Sequence, residues 1–466
     1  MLSIALLALS VTGLHLSRTF AAPSRPVARA QGSGITLEPI WNTTVSGTVD
    51  HVDLRYATNI TLNGHNFRVM IDTGSIDLWV SLPSDLPVND TGIPVDNQYA
   101  ASFVNGTIAF ATLEIGGYTV NDQAFNNAKS VSSAFILELG LDGLLGISLD
   151  GNSEIANTLE LEGVDPSLGE SFLLRVFDQT PDQNNFIGIS LARTDDLEGT
   201  AESSLTINDV DPTYSAVENA TEIPLFPGDN SDWSFLVDSI TLDGAEIALP
   251  ASVVEVAPEN TVVFLLDTGT PTAAMSQALL DAIYSKIPGA ELKTVSSANG
   301  KVWTVPCNTS SILSINVGAQ KFPIHPLDLS SVYIDQSTNL PVCLTAFGPG
   351  AQVDRFDILA GDSFMRNFYS IFNFGPGSTH TTGKSASVLL LSQTNAQTAG
   401  QDAVKVRNAL LANVTASSPG GGSSGSGTGA GSGKHSGAGR MALDSTFSTV
   451  LIGAALVVGG FVRVFV

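Results

Sequence analysis

Cysteine is nearly absent from this chain, with Cys307 and Cys343 alone in 466 residues. That excludes a disulfide-dense scaffold, and neither cysteine has a second Cys or a His at ligand spacing, which excludes a thiolate metal site. Both fall in a chain with secretory features, so a single Cys307–Cys343 disulfide is expected, stabilising the fold by roughly 3–4 kcal/mol through loop closure. Basic residues are also scarce: 20 Lys and Arg stand against 45 Asp and Glu, a formal charge of −25 at pH 7. Such a balance disfavours nucleic acid and anionic lipid surfaces as partners. The six histidines are scattered and form no His-Glu-x-x-His, so zinc-hydrolase chemistry drops out. Gly433-Lys434 is followed by His435 where a phosphate loop needs Ser or Thr. Gly361-Asp362-Ser363 opens like a serine-esterase motif, but no suitable His follows. No cofactor and no metal are expected.

What the sequence does contain is one short stretch, twice. Asp72-Thr73-Gly74-Ser75 follows the apolar run Val69-Met70-Ile71, and Asp267-Thr268-Gly269-Thr270 follows Val262 to Leu266. An apolar run ending in Asp-Thr-Gly reads as a buried strand opening into a tight loop, with Gly supplying backbone freedom at the turn. Two carboxyls within hydrogen-bond reach cannot both ionise comfortably, so their proton affinities are driven apart. The charged one can take a proton from a water lying between them while the neutral one polarises a carbonyl. That is peptide hydrolysis without a metal or a covalent intermediate.

On these two triplets the sequence resembles the pepsin-like aspartic proteases, of the secreted or glycolipid-anchored kind found in fungi. The resemblance implies a mostly β, bilobal fold, two similar β lobes flanking a central cleft. It makes Asp72 and Asp267 the catalytic pair. Thr73 and Thr268 would hydrogen-bond across to the opposite loop, Ser75 and Thr270 would donate to the outer carboxylate oxygens, and Gly74 and Gly269 would bring backbone near the substrate. The run from Asp72 to Val80, ending Asp77-Leu78-Trp79-Val80, is close to the family's form, with Ile76 and Pro271 replacing small polar residues. Asp142-Gly143-Leu144-Leu145-Gly146 and Asp357-Ile358-Leu359-Ala360-Gly361 match the strand that threads behind each catalytic loop in the family. Ala360 is smaller than the family's usual residue, which implies looser packing behind the second loop.

The family also closes its cleft with a β-hairpin flap whose Tyr bonds the Trp of the first motif. Counting back from Gly116-Gly117 puts Tyr99 in that place with Trp79 as partner, although Ala100 and Ala101 replace the usual glycines. Asn105-Gly106 is itself a hairpin-turn signal and is the rival position for the tip.

Along the chain, Ile60, Leu62, Phe67, Val69 and Ile71 alternate around a turn at Asn63-Gly64, a hairpin delivering the first loop. Helical spacing is rare, clearest over Ser276 to Pro288, where Leu279, Leu280, Ile283 and Ile287 share a face behind a Ser cap. Briefer helices are expected over Ser171 to Gln179 and Ser363 to Ser370. Residues 1–21 read as a signal peptide, apolar from Leu2 to Leu16 with a small-residue site at Thr19-Phe20-Ala21. Residues 22–49 are either a short propeptide or a flexible lead-in. Lobes are expected at 50–222 and 223–393, a Gly/Ser-rich linker at 394–440, and a C-terminal hydrophobic signal at 441–466. The apolar tail Phe447 to Val466 is interrupted by Arg463 and falls short of a spanning helix, so it matches a glycolipid-anchor signal, with Ser436 as attachment site and Gly433 its rival. A single-pass helix is the alternative. Sequons begin at Asn42, Asn59, Asn89, Asn105, Asn219, Asn308 and Asn413.

The leading expectation is a monomeric, acid-active endopeptidase acting on protein or peptide substrates and touching a membrane only through its anchor. A catalytically silent, peptide-binding or wall relative is the second class. A two-carboxylate glycosidase is a third, but it has no need of twin Asp-Thr-Gly loops.

Overall fold

The computed structural model describes residues 34–417, apart from short stretches at 42–46, 51–52, 100–101, 133–134, 150–152, 180–183, 195–202, 229–231, 296–297, 299, 351–354 and 377–385. Strands dominate, and the two halves repeat one construction. In the first, the hairpin Arg55–Leu62 and His65–Asp72 turns at Asn63 and Gly64, whose φ values of 48° and 81° suit the expected tight turn. His65–Asp72 then runs parallel to Gly143–Gly146, which lies antiparallel to Leu78–Val80. In the second half Val262–Leu266 runs parallel to Ile358–Ala360, which lies antiparallel to Ala273–Met275. Central strands covered on both faces read as continuous apolar runs, and Val262–Leu266 is buried at every position.

The first half forms an eight-stranded sheet, and the second forms one five-stranded and two four-stranded sheets. A six-stranded sheet joins them, with strands from both: Asn184–Ser190 and Ser204–Ile207 from the first, Phe368–Pro376 and Ser387–Ser392 from the second. Trp233, fully buried, packs edge-on against Phe372 and Phe374 of that sheet.

Helix Gln277–Tyr284 forms as the spacing predicts, with Ser276 accepting the Leu279 N–H and Leu279, Leu280 and Ile283 buried. Helix Phe172–Phe177 is likewise capped by Ser171. The stretch Ser363 to Ser370 departs from expectation. Helix Asp362–Met365 stops early and strand Phe368–Pro376 begins, because Phe368, Tyr369 and Phe372 fit the centre of the six-stranded sheet between two partner strands.

Two boundaries also move. Within 22–49, Ile35–Thr36 and Glu38–Ile40 are paired strands with Ile35, Leu37 and Ile40 buried, so the lead-in belongs to the fold from residue 35. Within 394–440, the expected linker begins with helix Ala399–Ser417, which buries Ala399, Ala403 and Arg407. Its small apolar residues leave too faint a stripe to read in sequence. The signal segment, the Gly/Ser-rich stretch after 417, Ser436, Gly433 and the apolar tail lie outside the described residues. Cys307 and Cys343 are bonded, with an S–S length of 1.99 Å.

Candidate active site

Each Asp-Thr-Gly loop emerges from a buried strand, and the two meet at the junction of the halves. Thr73 N–H donates to Thr268 Oγ1 at 3.0 Å, and Thr268 N–H returns the bond to Thr73 Oγ1 at 3.0 Å. Each hydroxyl donates in turn to the carbonyl preceding the opposite Asp: Thr73 to Leu266 at 3.1 Å, Thr268 to Ile71 at 2.8 Å. Both threonines are fully buried, so the four bonds lock the loops together where water cannot compete.

That lock brings the Asp72 and Asp267 carboxyls face to face: a Cβ on Gly269 would lie 2.5 Å from Asp72 Oδ1 and 2.8 Å from Asp267 Oδ1. Gly74 N–H donates to Asp72 Oδ1 at 2.8 Å, and Gly269 N–H to Asp267 Oδ1 at 2.7 Å. Ser75 donates to Asp72 Oδ2, and Thr270 Oγ1 to Asp267 Oδ2 at 2.8 Å. The Oδ1 atoms therefore face inward and the Oδ2 atoms outward. A Cβ on Gly74 would stand 2.6 Å from Asp267 Oδ1, and one on Gly269 2.5 Å from Asp72 Oδ1. Both positions need Gly because the opposite carboxylate occupies the space of a side chain. Burial, followed by the charge of Asp267, pushes Asp72 well above the usual carboxylate range, against hydrogen bonds from Ser75 and Gly74.

The strand behind each loop explains its own glycine. A Cβ on Gly146 would meet the Ile76 backbone at 2.4 Å, and one on Gly361 the Thr270 carbonyl at 2.1 Å. Asp142 and Asp357 play matching parts, accepting the N–H of Arg68 and of Val263, each at 2.8 Å. Ala360 is fully buried between Leu266 and Ala273.

Strands Asn89–Gln98 and Phe103–Ile115 form the hairpin expected to be the flap, closed by a Tyr99 N–H bond to Ser102 O at 2.8 Å. Tyr99 stands at the turn and packs against Trp79. Its phenol is held well above its ordinary value by burial and by the charges of Asp72 and Asp77, with Trp79 and Ser75 opposing. The Trp79 indole N–H does not reach strict hydrogen-bond geometry. Asn105-Gly106 is not the tip: it lies inside Phe103–Ile115, opposite Asp96 and Val95. Gly106 is small for another reason, since a Cβ there would meet Asn126 Oδ1 at 2.0 Å.

Sequence reasoning passed over several charged groups around the site. Asp77 is buried and accepts four hydrogen bonds. Asp362 is fully buried with neither carboxyl oxygen hydrogen-bonded, and burial drives it far up against the opposing pull of Arg55 and Arg366. Arg55 feels the charges of Asp362, Asp267 and Asp72. The sequence shows these residues but not their burial, which only the assembled fold creates. Among the sequons, Asn59, Asn89, Asn219, Asn308 and Asn413 are exposed, Asn105 is half-buried, and Asn42 lies outside the described residues. Among the described residues no cluster of His, Cys, Asp and Glu could hold a metal ion.

Comparison with known proteins points the same way. The family described as "Eukaryotic aspartyl protease" matches residues 84–380, a span containing Asp267, with Asp72 upstream of it. A putative aspergillopepsin A-like aspartic endopeptidase of Aspergillus fumigatus is 26% identical over 362 residues, 73% of this chain and 77% of the relative. Major aspartyl peptidase 1 of Cryptococcus neoformans is 24% identical, covering 72% of this chain and 69% of the relative. Pepsin A of Bos taurus is 23% identical, covering 70% and 83%.

Proposed function

The chain belongs to the eukaryotic aspartyl protease family and is an aspartic endopeptidase, and from that premise we propose that Asp72 and Asp267 are its catalytic dyad. The observation that carries the assignment is the pair of reciprocal Thr73–Thr268 bonds, which hold the two carboxyls close together.

The chemistry follows from that proximity. At acidic pH the pair holds one proton. The charged member takes a proton from a water lying between the Oδ1 atoms, and the neutral member donates to the scissile carbonyl oxygen. The resulting tetrahedral diol collapses as a carboxyl returns a proton to the leaving amine. Ser75 and Thr270 hold the outer oxygens, and the two loop N–H groups stabilise negative charge on the inner ones. Tyr99 and Trp79 form the flap side of the cleft, and the phenol stays a donor at every working pH.

The test is hydrolysis of a denatured protein between pH 3 and 6. It is expected to be blocked by a hydroxyl-bearing mimic of the tetrahedral intermediate and to fall by roughly 10³-fold or more in Asp72→Asn and in Asp267→Asn. Activity retained in either variant would overturn the assignment.

The same reading extends to the setting. The protein is secreted, glycosylated at exposed sequons such as Asn59, Asn89, Asn219 and Asn413, and held at the cell surface by a glycolipid at Ser436. It works as a monomer, since one chain supplies both carboxyls. Support comes from the apolar start, the Gly/Ser spacer and the apolar tail of the sequence. Among the described residues no helix is long and apolar enough to cross a membrane. Release of the enzyme from intact cells by a phosphatidylinositol-specific phospholipase is expected. Retention after treatment would favour a spanning helix.

A further inference from the structure

Five residues beyond the first catalytic Asp, Asp77 sits 5% exposed at the meeting of three elements that are distant in sequence. It lies on the catalytic loop, just before strand Leu78–Val80. Its Oδ2 accepts from Asn97 Nδ2 at 2.8 Å, from Glu154 N–H at 2.9 Å and from Ile155 N–H at 3.2 Å, while Ser153 Oγ donates to its Oδ1 at 2.6 Å. Ser153 is the cap of helix Glu154–Leu161, so one carboxyl closes that helix's first turn and grips Asn97 together.

Asn97 is the informative partner. It lies near the end of flap strand Asn89–Gln98, two residues before Tyr99, and is 4% exposed. Its own Oδ1 accepts from Asn126 Nδ2 at 2.8 Å, and Asn126 is fully buried in the neighbouring strand Tyr118–Val131, beside Trp79 in register. A buried chain of Asp77, Asn97 and Asn126 thus ties the flap to the catalytic loop. Such chains hold geometry well because every member is desolvated and an unmade bond is costly.

We propose that Asp77 is a positioning residue for proteolysis: it fastens the root of the flap to the first catalytic loop and so fixes where Tyr99 stands over the dyad. The proposal rests on reading Asp72 and Asp267 as that dyad. Burial, partly offset by its hydrogen bonds, raises Asp77 to about 6, so it is neutral at pH 4. The ionisable groups around it are Tyr99, which feels both Asp72 and Asp77, and Glu154, which faces Asp96. A neutral carboxyl keeps Oδ2 as the acceptor of three donors and can turn its own proton toward Ser153 Oγ. An Asn side chain has that same pattern, oxygen at Oδ2 and donor at Oδ1.

The experiment is steady-state kinetics at pH 4 on a peptide long enough to fill the cleft. Asp77→Ala is expected to raise KM by about tenfold or more with a smaller fall in kcat, because a flap loose at its root binds substrate less well. Asp77→Asn is expected to rescue most of kcat/KM. Asn97→Ala, which leaves the helix cap intact, is expected to reproduce the KM effect and to add nothing to Asp77→Ala in the double variant. If Asp77→Ala does not fold, Asn97→Ala decides. An unchanged KM in Asn97→Ala, or a loss of thermal stability with kinetics intact, would overturn the proposal. Wild-type protein that cleaves nothing would instead overturn the dyad reading, so the two failures are distinguishable.

Discussion

At the scale of single residues the site is governed by close approach. Gly269 faces Asp72 Oδ1 at a distance no Cβ tolerates, 2.5 Å. Gly269→Ala is therefore expected to push the carboxyls apart and lower kcat by roughly 10²-fold or more, the scale of loss from a misplaced reacting group; a kcat near wild type would show that the loops can spread without penalty. Thr268 acts differently. Thr268→Ala removes the acceptor of Thr73 N–H and the donor to Ile71 O. Two buried backbone groups are left unpaired, at about 1–3 kcal/mol each, so calorimetry should show a clear fall in Tm together with reduced activity. These residues were legible in the sequence because an Asp-Thr-Gly that follows an apolar run in each half points to one chemistry, a pair of carboxyls. Asp77 was not legible as an anchor, although it lies in the same motif. Its partners come from positions 97 and 153–155, and nothing local says that they converge. Tyr99 was ambiguous because Gly106 imitates a turn glycine while serving to admit the Asn126 side chain.

At the scale of elements, legibility followed the strength of the apolar pattern. Helix Gln277–Tyr284 carries a full stripe and a Ser cap and could be read directly. Helix Ala399–Ser417 could not, because its decisive contact is polar. Arg407, 4% exposed at its side chain, donates to Asp50 Oδ2 and to the Ser330 carbonyl. Asp50 Oδ1 in turn accepts the Val332 N–H at 3.1 Å, and Val49 N–H donates to Val332 O at 2.8 Å. The helix thereby clasps the chain's N-terminal approach to strand Ser330–Asp335 of the second half. Arg407→Ala would leave the Asp50 carboxylate buried and without its ionic partner. Loss of one member of a buried ion pair costs about 3–5 kcal/mol, and urea denaturation should read a stability loss of that order. A loss under about 1 kcal/mol would mean that the helix is only lightly docked.

At the scale of the whole molecule, buried acids outnumber buried bases among the described residues, and this sets the direction in which stability moves with pH. Burial raises Asp53, Asp72, Asp77, Asp232 and Asp362 above the ordinary value of 3.8, with neighbouring guanidiniums and hydrogen bonds only partly offsetting it. A raised carboxyl binds its proton more tightly in the folded chain than in the unfolded one. Its contribution is fully present below about 3.8 and is lost as pH climbs through the folded value, about 6 for Asp77 and higher for Asp72. Asp328 runs the other way. Burial would raise it, but the guanidiniums of Arg193 and Arg366 outweigh burial and hold it below its usual range, so its contribution disappears only in strong acid. The formal charge of −25 at pH 7 adds self-repulsion at the neutral end. Thermal unfolding followed across pH should therefore give the highest Tm near pH 4 and a steady fall toward pH 8. Asp77→Asn, which cannot ionise, should remove roughly 3 kcal/mol of that fall between pH 4 and 7, the worth of about two pKa units. A Tm that rises toward neutral pH would mean that the buried carboxyls are better solvated than this packing allows, and an acid-tuned dyad would lose its physical basis with them.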